Sequence, residues 1–100
     1  PSHPDYQIAQ KQMSGASSLI AFELEGGREK AFAFLDALQL IDISNNLGDS
    51  KTLACHPAST THQQLSEEAQ KETGVNQDLV RLSIGLEDLE DLKADLKQAF

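Results

Sequence analysis

Residues 44–62, SNNLGDSKTLACHPASTTH, concentrate side chains that could bind a ligand or support catalysis. Cys55, His56 and His62 are residue types that form thiol nucleophiles and zinc sites. Their spacing fits neither chemistry, because no C-x-x-C or H-E-x-x-H pattern is present and adjacent residues of a strand point to opposite faces. The chain also lacks the G-x-S-x-G sequence of a hydrolase nucleophile. The sequence therefore predicts no metal site and no hydrolytic triad.

Arg81 is the main candidate for ligand binding, because it lies in the strand-like sequence LVRLSIG. With a period of two, Val80 and Leu82 face the core, whereas Arg81 and Ser83 face the opposite side of the sheet. A guanidinium on a rigid strand can bind a carboxylate through two parallel hydrogen bonds. The commoner alternative is a solvated arginine on an exposed sheet face, and the residue pattern leaves both interpretations open.

The polar residues of the 44–62 segment also have structural explanations. Asn45 and Asn46 precede Gly48, and asparagine is common in turns because it tolerates left-handed backbone. Thr61 belongs to a run of hydroxyl residues that commonly satisfy nearby backbone groups. Residue types alone therefore do not assign a ligand to this segment.

Composition and charge exclude several classes of function. The chain has 100 residues, of which 39% are apolar, so one domain with one core is expected. A net charge of -8 repels phosphate backbones and argues against a nucleic-acid partner. The sequence shows no membrane-length apolar run and no signal-peptide pattern, and its single cysteine suits a reducing compartment. We therefore expect a cytoplasmic protein without a membrane partner.

Periodicity predicts the order helix, strand, helix, strand, strand, helix, strand, helix. The helices are predicted over residues 3–13, 28–40, 66–74 and 86–100, and the strands over 17–25, 41–44, 51–56 and 79–85. Ser66 and Gly74 are expected to cap the third helix. The predicted fold class is α+β, with a small, mostly antiparallel sheet and helices packed on one face.

The last helix is expected to be amphipathic. Its apolar stripe at helical spacing consists of Leu86, Leu89, Leu92, Leu96 and Phe100. Its acidic residues, including Glu87 and Asp95, are expected to form a solvated face.

Two motifs resemble the C-terminal part of the Cys/Met-metabolism family of pyridoxal-phosphate (PLP) enzymes. ISNNLGDSKTLACHPASTTH fits LGD-x-x-[ST]-L-x-x-HPA-[ST]-x-TH, and DLVRLSIGLEDLEDLKADL fits [LV]-RLS-[IV]-GLED. SHPDYQIAQKQM also looks like the family, so the resemblance covers essentially the whole chain. The asparagine before LGD is most similar to the O-succinylhomoserine sulfhydrylase branch, whereas many other relatives, the γ-lyase among them, have serine at that position.

The resemblance implies that residues 1–100 form the small C-terminal domain of an aspartate-aminotransferase-type subunit. The large PLP-binding domain would then lie outside this chain. Arg81 would bind the α-carboxylate of the amino-acid substrate, Asn46 would help to hold the same end, and Thr61 would lie close to it. None of the lysines has the S-x-T-K-like context of the cofactor lysine, so no catalytic or cofactor-binding residue is expected here. The chain alone would be inactive, and the full-length enzyme would carry PLP and form a homotetramer.

The activity implied by the resemblance is γ-replacement, in which O-succinylhomoserine and sulfide give homocysteine for methionine biosynthesis. Within the family, the alternative is a methionine or cystathionine γ-lyase or a γ-synthase. Outside it, the alternatives are a stand-alone, non-catalytic binding module and a non-catalytic interaction domain that uses the apolar surface. A domain separated from a larger enzyme should expose an apolar patch, whereas a free-standing module should be polar there.

Overall fold

The computed structural model describes residues 1–100 as a four-stranded sheet with four α-helices. All predicted helices and strands are present in the predicted order, and a 3₁₀ helix over Pro57–Ser59 is additional. None of the helices is both long and apolar enough to cross a membrane. The strands are β1 (Leu19–Glu23), β2 (Asp42–Ile43), β3 (Leu53–Cys55) and β4 (Leu79–Ser83), and the helices are α1 (Tyr6–Gln12), α2 (Gly27–Ala37), α3 (Glu67–Glu72) and α4 (Leu89–Ala99).

The sheet has the strand order β1-β4-β3-β2, and β4 is its central antiparallel strand. β4 pairs antiparallel with both β1 and β3, whereas the short edge strand β2 pairs parallel with β3. Val80 and Leu82 of β4 are buried in the same apolar cluster as Phe34 of α2 and Leu92 of α4. The predicted α+β class, with a mostly antiparallel sheet and helices on one face, is confirmed.

Both ends of α3 are capped as the sequence predicts. The side chain of Ser66 accepts a hydrogen bond from the backbone nitrogen of Ala69 at 3.2 Å. Gly74 has a φ of +78°, and its nitrogen donates to the carbonyl of Lys71 at 3.0 Å. The nitrogen of Val75 donates to the carbonyl of Gln70 at 2.8 Å, which completes a Schellman motif.

The last helix begins later than predicted, so part of its expected apolar stripe is wrong. Asp88 is the N-cap, and its side chain accepts hydrogen bonds from the nitrogens of Glu90 and Asp91. Leu86 therefore lies before the helix and is 86% exposed, while Leu89 is 61% exposed at its first position. Leu92 is buried, as predicted.

Asp95 is buried, which contradicts the prediction that the acidic residues of the last helix are all solvated. Its carboxylate accepts hydrogen bonds from the backbone nitrogens of Gln39, Leu40 and Ile41 at 2.8, 2.9 and 2.9 Å. Burial raises the pKa of Asp95, but these bonds and one from Gln98 outweigh it, so the pKa lies below its usual value. Asp95 thus fastens the segment after α2 onto α4.

Helix α1 contributes no buried residue and leaves an apolar surface uncovered. Ile8 and Met13 are 53% and 49% exposed. A groove between α1 and β1 is lined by Met13 together with Leu19 and Ile20, which are also exposed. We call the surface of Ile8, Met13, Leu19 and Ile20 the α1/β1 patch.

Candidate functional site

Arg81 lies in the middle of β4 between two small residues on the neighbouring strands. It is paired with Ala21 of β1 on one side and with Cys55 of β3 on the other. Directly paired residues point to the same face of a sheet, so this row lies opposite the core face that contains Val80. Ala21 is exposed, and its small side chain leaves space for a ligand beside the guanidinium.

A backbone carbonyl holds the guanidinium of Arg81 in one orientation. Its Nη2 donates a hydrogen bond to the carbonyl oxygen of Asn45 at 2.9 Å. An arginine has five N–H donors, so the remaining donors are available for a planar anionic group such as a carboxylate. The predicted placement of Arg81 away from the core is therefore observed, together with a contact that fixes it.

Asn45 and Asn46 belong to residues 44–50, which we call the 44–50 loop and which form the connection between β2 and β3 together with Lys51 and Thr52. At its start, the nitrogen of Ser44 donates to the carbonyl of Ala54 at 3.0 Å. At its middle, the nitrogen of Gly48 donates to the hydroxyl of Ser83 at 3.1 Å. The loop thus lies along the β4 face that carries Arg81, with Asn46 exposed next to the residue that orients the guanidinium.

The end of this loop is held by an interlock between the two sequence motifs. The backbone nitrogen and the hydroxyl of Thr52 each donate to a carboxylate oxygen of Glu87 at 2.6 Å. The hydroxyl of Thr52 also accepts a hydrogen bond from the nitrogen of Gly85 at 2.9 Å. A β-carbon at Gly85 would lie 2.7 Å from the nitrogen of Thr52 and would overlap the carbonyl oxygen of Ser50. Only glycine allows the two segments to approach this closely.

Ser83, Gly85 and Glu87 are structural members of the site that the sequence argument missed. The period of two placed Ser83 on the open face, but the 44–50 loop covers it. Glu87 was predicted to be a solvated helix residue, but it precedes α4 and bonds Thr52. Gly85 is a signal in the motif itself, because glycine commonly marks the end of a strand or a turn.

The protonation of Glu87 follows from its hydrogen bonds. The hydroxyl and the backbone N–H of Thr52 both donate to the carboxylate, and they lower the pKa of Glu87 below its usual value. Glu87 is therefore charged at neutral pH.

Cys55 is fully buried beneath the site and is not arranged as a nucleophile. Burial raises the pKa of the Cys55 thiol, although Arg81 and a hydrogen bond with Thr60 act in the opposite direction. The thiol is therefore protonated at neutral pH, and the buried residue behaves as a small apolar group.

His56 has a structural role at the end of β3. Its Nε2 lies 2.6 Å from the carbonyl oxygen of Gln77, and its Nδ1 lies 2.8 Å from the hydroxyl of Ser59. A carbonyl only accepts hydrogen bonds, so Nε2 carries a proton. The ring also packs edge-on against Phe32, with 4.9 Å between the centroids. His56 therefore joins the 3₁₀ helix to the segment that precedes β4.

Thr61 follows the 3₁₀ helix, which itself packs against β4. The side chain of Thr61 is exposed, and its hydroxyl lies 2.7 Å from Nδ1 of His62. Of the three residues predicted to bind the substrate, Arg81 and Asn46 are therefore joined through the 44–50 loop, whereas the hydroxyl of Thr61 is engaged by His62.

Comparison with known proteins gives one family. The model of the family described as "Cys/Met metabolism PLP-dependent enzyme" matches residues 1–100. An O-succinylhomoserine sulfhydrylase from Pseudomonas aeruginosa is 46% identical over 96 residues, which are 96% of this chain and 24% of that protein. An L-methionine γ-lyase from Pseudomonas putida is 48% identical over 98 residues, which are 98% of this chain and 25% of that protein.

A solved structure has the same fold. An O-acetylhomoserine (thiol)-lyase from Campylobacter jejuni, which carries a pyridoxyl-lysine phosphate, matches with a TM-score of 0.89 and 47% identity. The match covers 98% of this chain and 24% of that one, so the chain spans about a quarter of the proteins that it matches. Both the family resemblance of the two motifs and the fold class predicted from it are confirmed. The chain belongs to the Cys/Met-metabolism family of PLP-dependent enzymes.

Proposed function

We propose that this chain is the C-terminal, substrate-carboxylate-binding domain of a PLP-dependent sulfhydrylase that converts O-succinylhomoserine and sulfide to homocysteine. The observation that carries the proposal is Arg81, which projects from the central strand and is oriented by the carbonyl of Asn45 at 2.9 Å. The 46% identity to an O-succinylhomoserine sulfhydrylase supports this substrate class.

Arg81 would act by position and charge, without transferring a proton. Two of its free N–H groups would bind the α-carboxylate, and the exposed Asn46 beside the loop contact would hold the same end of the substrate. A carboxylate fixed in this way limits rotation of the substrate, so the bonds at its α-carbon keep a constant direction. Thr61 would join the subsite if a bound carboxylate replaced its bond to His62.

We infer that the residues of this chain do not by themselves form a PLP site. Among the lysines, the Nζ of Lys30 lies 3.4 Å from the carbonyl oxygen of Phe100, Lys51 pairs with Asp42, and Lys93 pairs with Glu90. None of these contacts is with Arg81 or the 44–50 loop. PLP stabilises negative charge on the substrate carbon when it is bound. We infer that a large domain outside this chain holds it, and that the chain alone is inactive.

The α1/β1 patch supports a larger protein around this domain. Its four apolar side chains are each about half exposed, and monomeric proteins rarely expose large apolar patches. We propose that this patch meets the large PLP-binding domain, in a cytoplasmic homotetramer. A stand-alone binding module would be polar there, so this surface favours the domain of a larger enzyme.

The test uses the protein encoded by the whole reading frame that contains these residues. Incubation with O-succinyl-L-homoserine and sulfide should give homocysteine and succinate, and Arg81→Ala should reduce that rate while PLP absorbance is retained. The 48% identity to a methionine γ-lyase makes elimination the second candidate. A γ-lyase would instead release an α-keto acid and ammonia without requiring sulfide. Absence of PLP from the purified full-length protein would contradict both candidates.

A further inference from the structure

We propose that Thr52 and Glu87 are positioning residues for substrate binding, which hold the 44–50 loop so that Arg81 and Asn46 present their donors to one carboxylate. The proposal rests on the proposed function, because it requires that Arg81 binds the substrate. It assigns a role to two residues that touch neither the guanidinium nor the proposed substrate position.

The contacts of Thr52 show how the loop is held at its end. Thr52 is fully buried, and its nitrogen and hydroxyl both bond Glu87 at 2.6 Å. Next to it, the nitrogen of Leu86 donates to the carbonyl of Ser50 at 2.8 Å. The two bonds between Thr52 and Glu87 join residues that are 35 positions apart in the chain, so local turn preferences cannot replace them.

The same loop controls the orientation of Arg81. The carbonyl of Asn45 accepts from the guanidinium, and the nitrogen of Gly48 is held by Ser83 on the same strand. If the bonds between Thr52 and Glu87 are lost, the second half of the loop keeps the contact with Ser83, the backbone bond between Leu86 and Ser50, and the local bond from the nitrogen of Lys51 to Asp49. The carbonyl of Asn45 and the side chain of Asn46 then move relative to Arg81, and a small misplacement of a binding group has a large effect on rate.

Substrate discrimination separates positioning from a general structural role. The full-length enzyme is assayed with O-succinyl-L-homoserine and with its α-carboxamide, which lacks the carboxylate charge. General loss of folding lowers kcat/KM for both compounds by the same factor. Loss of the Arg81 geometry lowers kcat/KM mainly for the carboxylate, so the ratio between the two compounds falls.

The variants are chosen to remove single atoms of the interlock. Thr52→Val removes the hydroxyl with little change of shape, and we expect the carboxylate preference to fall about tenfold. Thr52→Ser restores the hydroxyl and should keep the preference within about threefold of the original. Glu87→Gln removes the charge that the backbone nitrogen and the hydroxyl of Thr52 contact. It tests the positioning role independently if Thr52→Val does not fold. Glu90→Gln is the matched control, because Glu90 is exposed and its side chain bonds only Lys93.

Each outcome has a defined meaning when Arg81→Ala is measured in parallel. If Arg81→Ala loses the carboxylate preference and Thr52→Val and Glu87→Gln lose part of it, the positioning role is supported. If Arg81→Ala loses it but neither Thr52→Val nor Glu87→Gln does, the positioning role is overturned and the proposed function stands. If Arg81→Ala keeps the preference, carboxylate binding by Arg81 and the positioning role both fail.

Discussion

Replacement of Arg81 by alanine is the most direct perturbation of the site. The guanidinium has one hydrogen bond within the chain, to Asn45, and a carboxylate would accept two more. Each hydrogen bond to a charged group contributes about 1.5–3 kcal/mol net. Because the two bonds are coupled and the site is partly open to water, we expect a combined loss of about 2–4 kcal/mol.

This loss corresponds to a decrease of roughly 30- to 1,000-fold in kcat/KM for O-succinyl-L-homoserine. The KM should rise, because the carboxylate contact exists in the ground state as well as in the transition state. The kcat/KM of Arg81→Lys should lie between those of the unmodified enzyme and of Arg81→Ala, since an ammonium keeps the charge but loses the bidentate geometry. Steady-state assays of homocysteine formation by these three forms of the full-length enzyme measure the differences.

Arg28→Ala provides the control, because it removes an equal charge from a different surface. Arg28 lies over the ring of Phe32, with its guanidinium carbon 4.9 Å from the centroid, and is exposed. The asparagine carbonyl that Arg81 leaves behind is also exposed, so water replaces the lost bond without a large cost to folding. Unchanged kinetics in Arg81→Ala, or an equal loss in Arg28→Ala, would refute the carboxylate role.

Three further predictions concern stability and reactivity. Asp95→Asn replaces one of the two carboxylate oxygens that accept from three backbone N–H groups with an NH2 group that cannot accept, and should lower the free energy of unfolding by about 1–3 kcal/mol, measured by urea denaturation of the full-length protein. Hydrogen bonds depress the pKa of Asp95 in the folded protein, so its contribution to the unfolding free energy is present above the ordinary carboxyl pKa, near pH 4, and is lost as the pH falls. Asp95→Asn should therefore make the unfolding free energy depend less steeply on pH in the acid range. Gly85→Ala should lower the unfolding free energy by about 1–3 kcal/mol, because the new β-carbon would collide with the backbone of Ser50 and Thr52. Gly15 has open space around its α-carbon, so Gly15→Ala should change the unfolding free energy by less than about 0.5 kcal/mol. Cys55 should resist iodoacetamide at pH 7 in the native protein and react after denaturation, as peptide mass spectrometry would show; rapid native labelling would contradict its buried, protonated state.

The elements of this fold follow from local patterns, which is why the sequence predicts them. Alternation in LVRLSIG places Val80 in the core and Arg81 on the opposite face, and both placements are observed. Ser66 and Gly74 cap α3 through bonds within a few residues. The start of α4 was predicted too early, because the leucine spacing continues through Leu86 although the Asp88 cap begins the helix.

The site depends on contacts between distant residues, which local patterns do not contain. The bond from Arg81 to Asn45 joins positions 36 apart, and Asp95 bonds residues 54 to 56 positions away. Glu87 and Asp95 are acidic residues in an acidic segment, so composition favours a solvated face. Their roles become visible only when the folded chain brings unpaired backbone N–H groups to them, because buried donors require acceptors.

Exposure divides the polar residues of the two motifs into two groups with different expected effects on rate. Thr52 and Ser83 are buried, and their hydrogen-bonding groups are used within the chain. Asn46 is exposed and Arg81 is only partly buried, with most of its guanidinium donors free for a ligand. A side chain whose hydrogen bonds are already made inside the protein contributes little binding free energy to a ligand. A side chain with a fixed orientation and free donors contributes the full hydrogen bond, because it loses little conformational entropy on binding. Substitutions in the buried group should therefore change binding only by moving the exposed one, so their effects on carboxylate preference should disappear in an Arg81→Ala background.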